Sequence, residues 1–138
     1  MLDNIDQQIL YFLKKNARIS WKDIGAQVHL TGQAVAARIA KMTDEGIIRS
    51  FTIDINSKKI GIGHSGFITV YMKTNDHEGF LEFVRVDDGI VEASRISGAG
   101  CYLLKFKVKT EEDLNLLLKN ILLFGNYRLS IIVGVVKR

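Results

Sequence analysis

Proline is absent from this 138-residue chain, and cysteine occurs once, at Cys101. Without proline, no helix can begin on a first residue whose φ is locked by a ring. A single cysteine excludes an intramolecular disulfide, and a reducing compartment agrees with that count without being demanded by it. No segment approaches the roughly 18 consecutive apolar residues needed to span a bilayer. The N-terminus reads as a charged amphipathic helix rather than a signal sequence, so the cytoplasm is the expected location and no membrane is expected as a partner.

Catalytic and metal-binding patterns are also scarce. His29, His64 and His77 fall in different expected elements, and no pair has the H-x-x-x-H or C-x-x-C spacing of metal ligands. Cys101 has no histidine nearby in sequence to activate it and reads as a small hydrophobe or a structural residue. The pairs Gly61/Gly63 and Gly98/Gly100 lack the third glycine and following helix of a dinucleotide fold, and no phosphate loop is present. The expectation is a protein that is not an enzyme and holds no metal or resident cofactor.

The residues that are present describe a globular chain, 47% hydrophobic, with a modest net charge of +4. That charge alone does not imply nucleic acid, but its distribution is uneven. Between positions 14 and 49, Lys14, Lys15, Arg18, Lys22, Arg38, Lys41 and Arg49 face only Asp23, Asp44 and Glu45, an excess suited to a phosphate backbone.

The same stretch carries the most informative pattern, ISWKDIGAQVHLTGQAVAARIAKMTDEGII from Ile19 to Ile48. Ser20 can cap a short helix, with Asp23 reaching back as in a capping box. Ile24, Val28 and Leu30 give it an apolar side, and Gly25 permits a close backbone approach. His29 and Leu30 close it. Thr31 caps a second helix in which Ala34, Val35, Ile39 and Met42 form one stripe, ending near Gly46. An earlier stripe, Ile5, Ile9, Leu10 and Leu13, predicts a first helix from about Asp3 to Lys15, acidic at its start and basic at its end. Three such helices can enclose a small core, as in helix-turn-helix domains.

On the far side of the last helix lie Gln33, Ala37, Ala40 and Lys41, with Arg38 on the flank. Alanines let a helix axis approach base edges, glutamine can pair with adenine, arginine with guanine, and lysine can meet phosphate. The expected DNA-contacting set is Ser20, Trp21, Lys22, Thr31, Gln33, Ala34, Ala37, Arg38, Lys41 and Arg49; the alternative is an ordinary solvated face.

The run LDNIDQQILYFLKKNARISWKDIGAQVHLTGQAVAARIAKMTDEGIIRSFTIDIN resembles the N-terminal half of the Lrp/AsnC (leucine-responsive and asparagine-responsive, or feast/famine) transcription regulators. The resemblance lies in D-x-x-D-x-x-I-L, N-A-R-I-S, R-I-x-x-M and G-I-I-R, and the family likeness extends over nearly the whole chain. Members often carry proline just after the cap of the recognition helix, where this chain has Gly32. The resemblance implies a sequence-specific regulator of double-stranded DNA, acting as a homodimer that assembles further, into octamers or related forms. It also implies an amino-acid effector bound in the C-terminal domain against a loop resembling T-G-D-x-D-Y. The matching residues are Ser97, Gly98, Ala99, Gly100, Cys101 and Tyr102, with Ala99 and Cys101 where acids are expected. Glycines there suit a carboxylate approached by backbone N–H groups, but a tight connection between strands fits equally. An effector-independent DNA-organising protein, and a small-molecule-binding module without DNA readout, remain alternatives.

After Gly46, Phe51, Ile53 and Ile55 alternate with polar residues and predict a linker strand. A composition break near Lys59 suggests a helix-turn-helix domain at 1–50, a linker at 51–60 and a second domain at 61–138. In that second domain the pattern predicts strands over 67–73, 91–97, 102–109 and 127–136, with helices over 77–86 and from 111 onward. The expected class is thus α+β: a three-helix (winged) helix-turn-helix domain, a strand linker and a ferredoxin-like βαββαβ domain. One sheet face is expected to carry Ile68, Val70, Met72, Leu104, Phe106, Val108, Leu129, Ile131, Val133 and Val135 toward the helices. The other carries Phe67, Tyr71, Leu103, Ile132 and Val136, enough apolar surface to predict a sheet-to-sheet dimer; the alternative is apolar scatter on a monomer.

Overall fold

The structure, a computed structural model, describes residues 1–138. Helices α1 (Asn4–Lys15), α2 (Trp21–Val28) and α3 (Gly32–Asp44) come first. Each opens on a polar cap. Asp3 and Asp6 make a reciprocal capping box on α1, Ser20 accepts from the Asp23 amide, and Thr31 accepts from the Ala34 amide, which satisfies donors that the first helical turn leaves open. The expected second half of the box on α2 is not formed: the Asp23 side chain does not return to Ser20. Ile9, Leu13, Ile24, Val28, Val35, Ile39 and Met42 form the core of this unit, all buried.

The turn between α2 and α3 depends on one glycine. His29 adopts a left-handed conformation (φ 58, ψ 42) that ends α2, and the Leu30 amide donates to the Gly25 carbonyl at 2.9 Å. A β-carbon on Gly25 would lie 2.3 Å from the Leu30 carbonyl oxygen, so the close approach expected from sequence is made by backbone on backbone.

The chain divides into two compact units, Met1–Asp54 and Ile55–Arg138, parting inside the segment expected as linker. That segment departs from expectation, because Phe51–Ile55 form no strand and join no sheet of this chain. The alternation is real, yet a strand needs a neighbour to accept its hydrogen bonds. Phe51, Ile53 and Ile55 are exposed, and the helical unit carries no wing.

The second unit is built from β1 (His64–Met72), α4 (His77–Val86), β2 (Ile90–Arg95), β3 (Tyr102–Val108), α5 (Glu111–Ile121) and β4 (Gly125–Ile131). Its strands form one antiparallel sheet in the order β2-β3-β1-β4. Ile68, Val70, Tyr102, Leu104, Phe106 and Val108 on one sheet face pack with Phe80 and with Leu114, Leu117, Leu118 and Ile121 of α5. Strand β4 ends five residues earlier than expected, so Val133 and Val135 lie past the sheet and are exposed; Ile131, paired with Gly66, keeps the helix-facing side but is exposed at the strand end. Beyond Ile131 the Ile132 amide still reaches β1, donating to the Ser65 carbonyl at 2.9 Å. Val136 also lies past the sheet. The open face is mixed: Phe67 pairs with Lys105 and Ser130, and Thr69 with Leu103 and Arg128.

Candidate functional site

Helix α3 presents two unlike sides. Val35, Ile39 and Met42 are buried, whereas Gln33, Ala37, Ala40 and Lys41 are exposed together and Ala34 is half-buried between them. The surface is thus two small residues flanked by an amide and an ammonium group. Lys41 is held only loosely, with Nζ 3.9 Å from Glu45 Oε1, a separation that constrains an exposed pair little. At the start of α2, Ser20, Trp21 and Lys22 are exposed, Trp21 by 51%. Thr31 spends its hydroxyl on the α3 cap at 3.1 Å. Arg49 lies off α3, on the wall of a cavity of about 490 Å³ between α1 and the segment that follows α3.

Arg38 is held by two carboxylates. Its Nη1 donates to Asp3 Oδ2 at 2.7 Å and to Asp6 Oδ1 at 2.8 Å. The remaining oxygens of those carboxylates are used as well, since Asp3 Oδ1 accepts from the Asp6 amide at 2.8 Å and Asp6 Oδ2 from the Asp3 amide at 3.1 Å. Every carboxylate oxygen at the start of α1 therefore has a donor, and one guanidinium fastens α3 to that end. The Arg38 hydrogen bond and the Asp6 amide hold the Asp3 carboxyl below the usual carboxylate range. Arg38, expected from sequence to pair with guanine, has Nη1 committed to these two carboxylates; its partners lie more than thirty residues away, beyond the reach of helical spacing.

In the second unit, the segment Ser97–Gly100 joins β2 to β3. Gly98 (φ 94) and Gly100 (φ 99) have positive φ, which side-chain-bearing residues rarely adopt. A β-carbon on Gly100 would also come within 2.5 Å of Thr69 Cγ2. The Ile96 amide donates to the Cys101 carbonyl at 3.1 Å and the Cys101 amide to the Val70 carbonyl at 2.8 Å. Beside the loop is a cavity of about 350 Å³ lined by His77, Arg95, Ile96, Gly100, Cys101 and Tyr102. Of the six loop residues singled out from sequence, Gly100, Cys101 and Tyr102 reach it, while Ser97, Gly98 and Ala99 do not. Tyr102 belongs mainly to the core: its ring is 2% exposed and packs 4.9 Å from the Phe80 ring. Its hydroxyl sits 2.7 Å from His77 Nδ1 and accepts from Arg95 Nη2 at 3.3 Å. His77 and Arg95 escaped the sequence reading because they approach Tyr102 from α4 and β2; the antiparallel pairing of Arg95 with Tyr102 is the one signal that links them.

Comparison with known proteins agrees with both halves. The profile of the AsnC-type helix-turn-helix domain matches residues 2–43, and that of the Lrp/AsnC ligand binding domain matches residues 65–138. The HTH-type transcriptional regulator LrpB of Bacillus subtilis (strain 168) is 45% identical over 137 residues, 99% of this chain and 92% of that protein. The solved structure of B. subtilis LrpC superposes with a TM-score of 0.91 at 27% identity, covering 99% of this chain and 98% of that one. A transcriptional regulator of Neisseria meningitidis, solved as its L-Met complex, shares the fold with a TM-score of 0.90 at 23% identity, covering 100% and 94% of the two chains. With a helix-turn-helix matched at one end and a ligand-binding domain at the other, the chain belongs to the Lrp/AsnC family of DNA-binding transcriptional regulators.

Proposed function

We propose that α3 enters the major groove with Gln33 toward base edges, that Ala34, Ala37 and Ala40 let the helix axis come close, and that Lys41 and Lys22 meet phosphates. Ser20, Trp21 and Thr31 line the approach at the helix starts, and Arg49 adds charge beside the groove. Arg38 fixes α3 against α1 instead of reading a base. The observation that carries this reading is the division of α3, with its apolar stripe buried and its alanine face bare between Gln33 and Lys41.

A two-fold pair of such helices reads a pseudo-palindromic site. The open sheet face, with Phe67, Tyr71 and Leu103 among Lys105, Lys107 and Arg128, supports a sheet-to-sheet homodimer, further assembled as dimers into octamers. The regulator works in the cytoplasm by binding alone, without a catalysed step, and a small carboxylate-bearing metabolite acts through the cavity beside Gly100. The L-Met complex of the Neisseria relative supports an effector of that size.

Gel-shift titration with its own promoter region and with random duplex, at two salt concentrations, tests the DNA reading. Binding should weaken as salt rises, and Gln33→Ala should cost roughly 1–3 kcal/mol on the specific site alone. Equal loss on both duplexes would remove Gln33 from the bases.

A further inference from the structure

The cavity beside the β2–β3 loop differs from a general amino-acid site in the sign of its polar groups. It is lined by one guanidinium, one imidazole, a phenol, a thiol, an isoleucine and a glycine, and no carboxylate is among them. Asp76, next to His77 in sequence, is turned to cap α4, its Oδ1 accepting from the Gly79 amide at 2.9 Å.

Resting on the reading of this domain as an effector domain, we infer that the cavity selects a small organic monocarboxylate that carries an apolar body and no amino group, a 2-oxo acid being the simplest representative. Arg95 uses one donor on the Tyr102 hydroxyl and lies over the Tyr102 ring, 5.6 Å from its centroid. The stacked guanidinium is thereby oriented, and its free edge offers the parallel N–H pair that matches a carboxylate. Ile96 and Cys101 form an apolar wall for the rest of the molecule, and a volume of about 350 Å³ is at the small end of ligand sites.

The α-ammonium of an amino acid would meet the opposite environment. It would find no acidic side chain in the cavity to pair with it, and it would sit near a guanidinium of like charge. A 2-oxo acid replaces that ammonium with a carbonyl acceptor, which the imidazole of His77 can serve. In the tautomer whose Nδ1 accepts from the Tyr102 hydroxyl, Nε2–H is the donor left over.

The test compares 4-methyl-2-oxopentanoate, L-leucine and inorganic phosphate on the full chain, by thermal shift and titration calorimetry at equal concentrations. The oxo acid should raise the melting temperature by a few degrees, since a ligand held only by the folded state stabilises it by mass action, and should bind at least about tenfold tighter than leucine. Arg95→Gln should weaken its binding about tenfold or more, as expected for a lost charge-assisted hydrogen bond, with Arg95→Lys in between. Leucine binding as tightly as the oxo acid would overturn the ligand class and leave the effector reading standing, and so would phosphate displacing the oxo acid at equal concentration. Failure of the oxo acids and of the whole set of free amino acids to bind would overturn the effector reading itself. The ligand comparison on the unaltered chain decides the matter whether or not the variants fold.

Discussion

Asp3, Asp6 and Arg38 form the most constrained polar cluster of the helical unit, and the titration of Asp3 gives its clearest consequence. Its carboxyl is held below the usual range by Arg38 and the Asp6 amide, so the folded form binds this proton less readily than the unfolded chain does. The resulting stabilisation is complete above the ordinary aspartate pKa, near pH 4, and fades as pH falls through the depressed value. Asp3→Asn should therefore flatten the acid limb of the stability curve below about pH 4, read by chemical denaturation across pH; an unaltered limb would mean that the ion pair does not hold in solution. At Lys41, whose ammonium is almost unpaired, substitution by alanine should lower affinity alike on all duplexes and reduce the salt slope by about one. The exposed side of α3 was legible from spacing because Gln33, Ala37 and Lys41 recur at helical intervals. The fate of Arg38 was not, since its acceptors belong to another helix.

The helices declare themselves through local chemistry: Asp3, Ser20, Thr31 and Thr110 each cap within three residues of the group they serve. Strands do not work that way. Phe51–Ile55 alternate as well as β3 does, and residues 132–136 continue the apolar run of β4, yet of these only β3 has a strand on each side, so the sequence pattern overstated both. The turn between α2 and α3 is where an element-level change should be felt most. Gly25→Ala sets a β-carbon against the Leu30 carbonyl oxygen, and backbone cannot step aside as a flexible side chain can. A loss of about 1–3 kcal/mol in unfolding free energy is expected, with DNA binding falling in parallel as α3 shifts. A stable, fully binding variant would show that the turn opens more easily than its geometry suggests. By contrast, Gly46 has open space around it, and only its positive φ resists substitution.

On the scale of the molecule, each half has its own buried cluster, one centred on Ile9, Ile24 and Val35 and the other on Phe80, Phe106 and Ile121. The order of elements and the ferredoxin-like half could be read from the change of period after Gly46, because both helices of that half carry strong apolar stripes. The cavity could not, as its walls come from α4, β2 and β3 and meet only when the sheet closes. The proposed sheet-to-sheet pairing predicts a solution mass of at least twice 15.5 kDa by sedimentation. Phe67→Glu, which adds a charge to the open face, should shift that mass toward the single chain without unfolding it, and a mass unaffected by the change would move the contact elsewhere.

Separate cores also bear on heredity. A lesion confined to Ile24 or Val35 would spoil the reading head while leaving the Phe80 cluster intact, and through the proposed sheet-to-sheet contact such a polypeptide would still join its healthy siblings. Mixed assemblies would then grip their operator with one hand, so a single defective copy in a merodiploid cell should silence more regulator than its share of the pool.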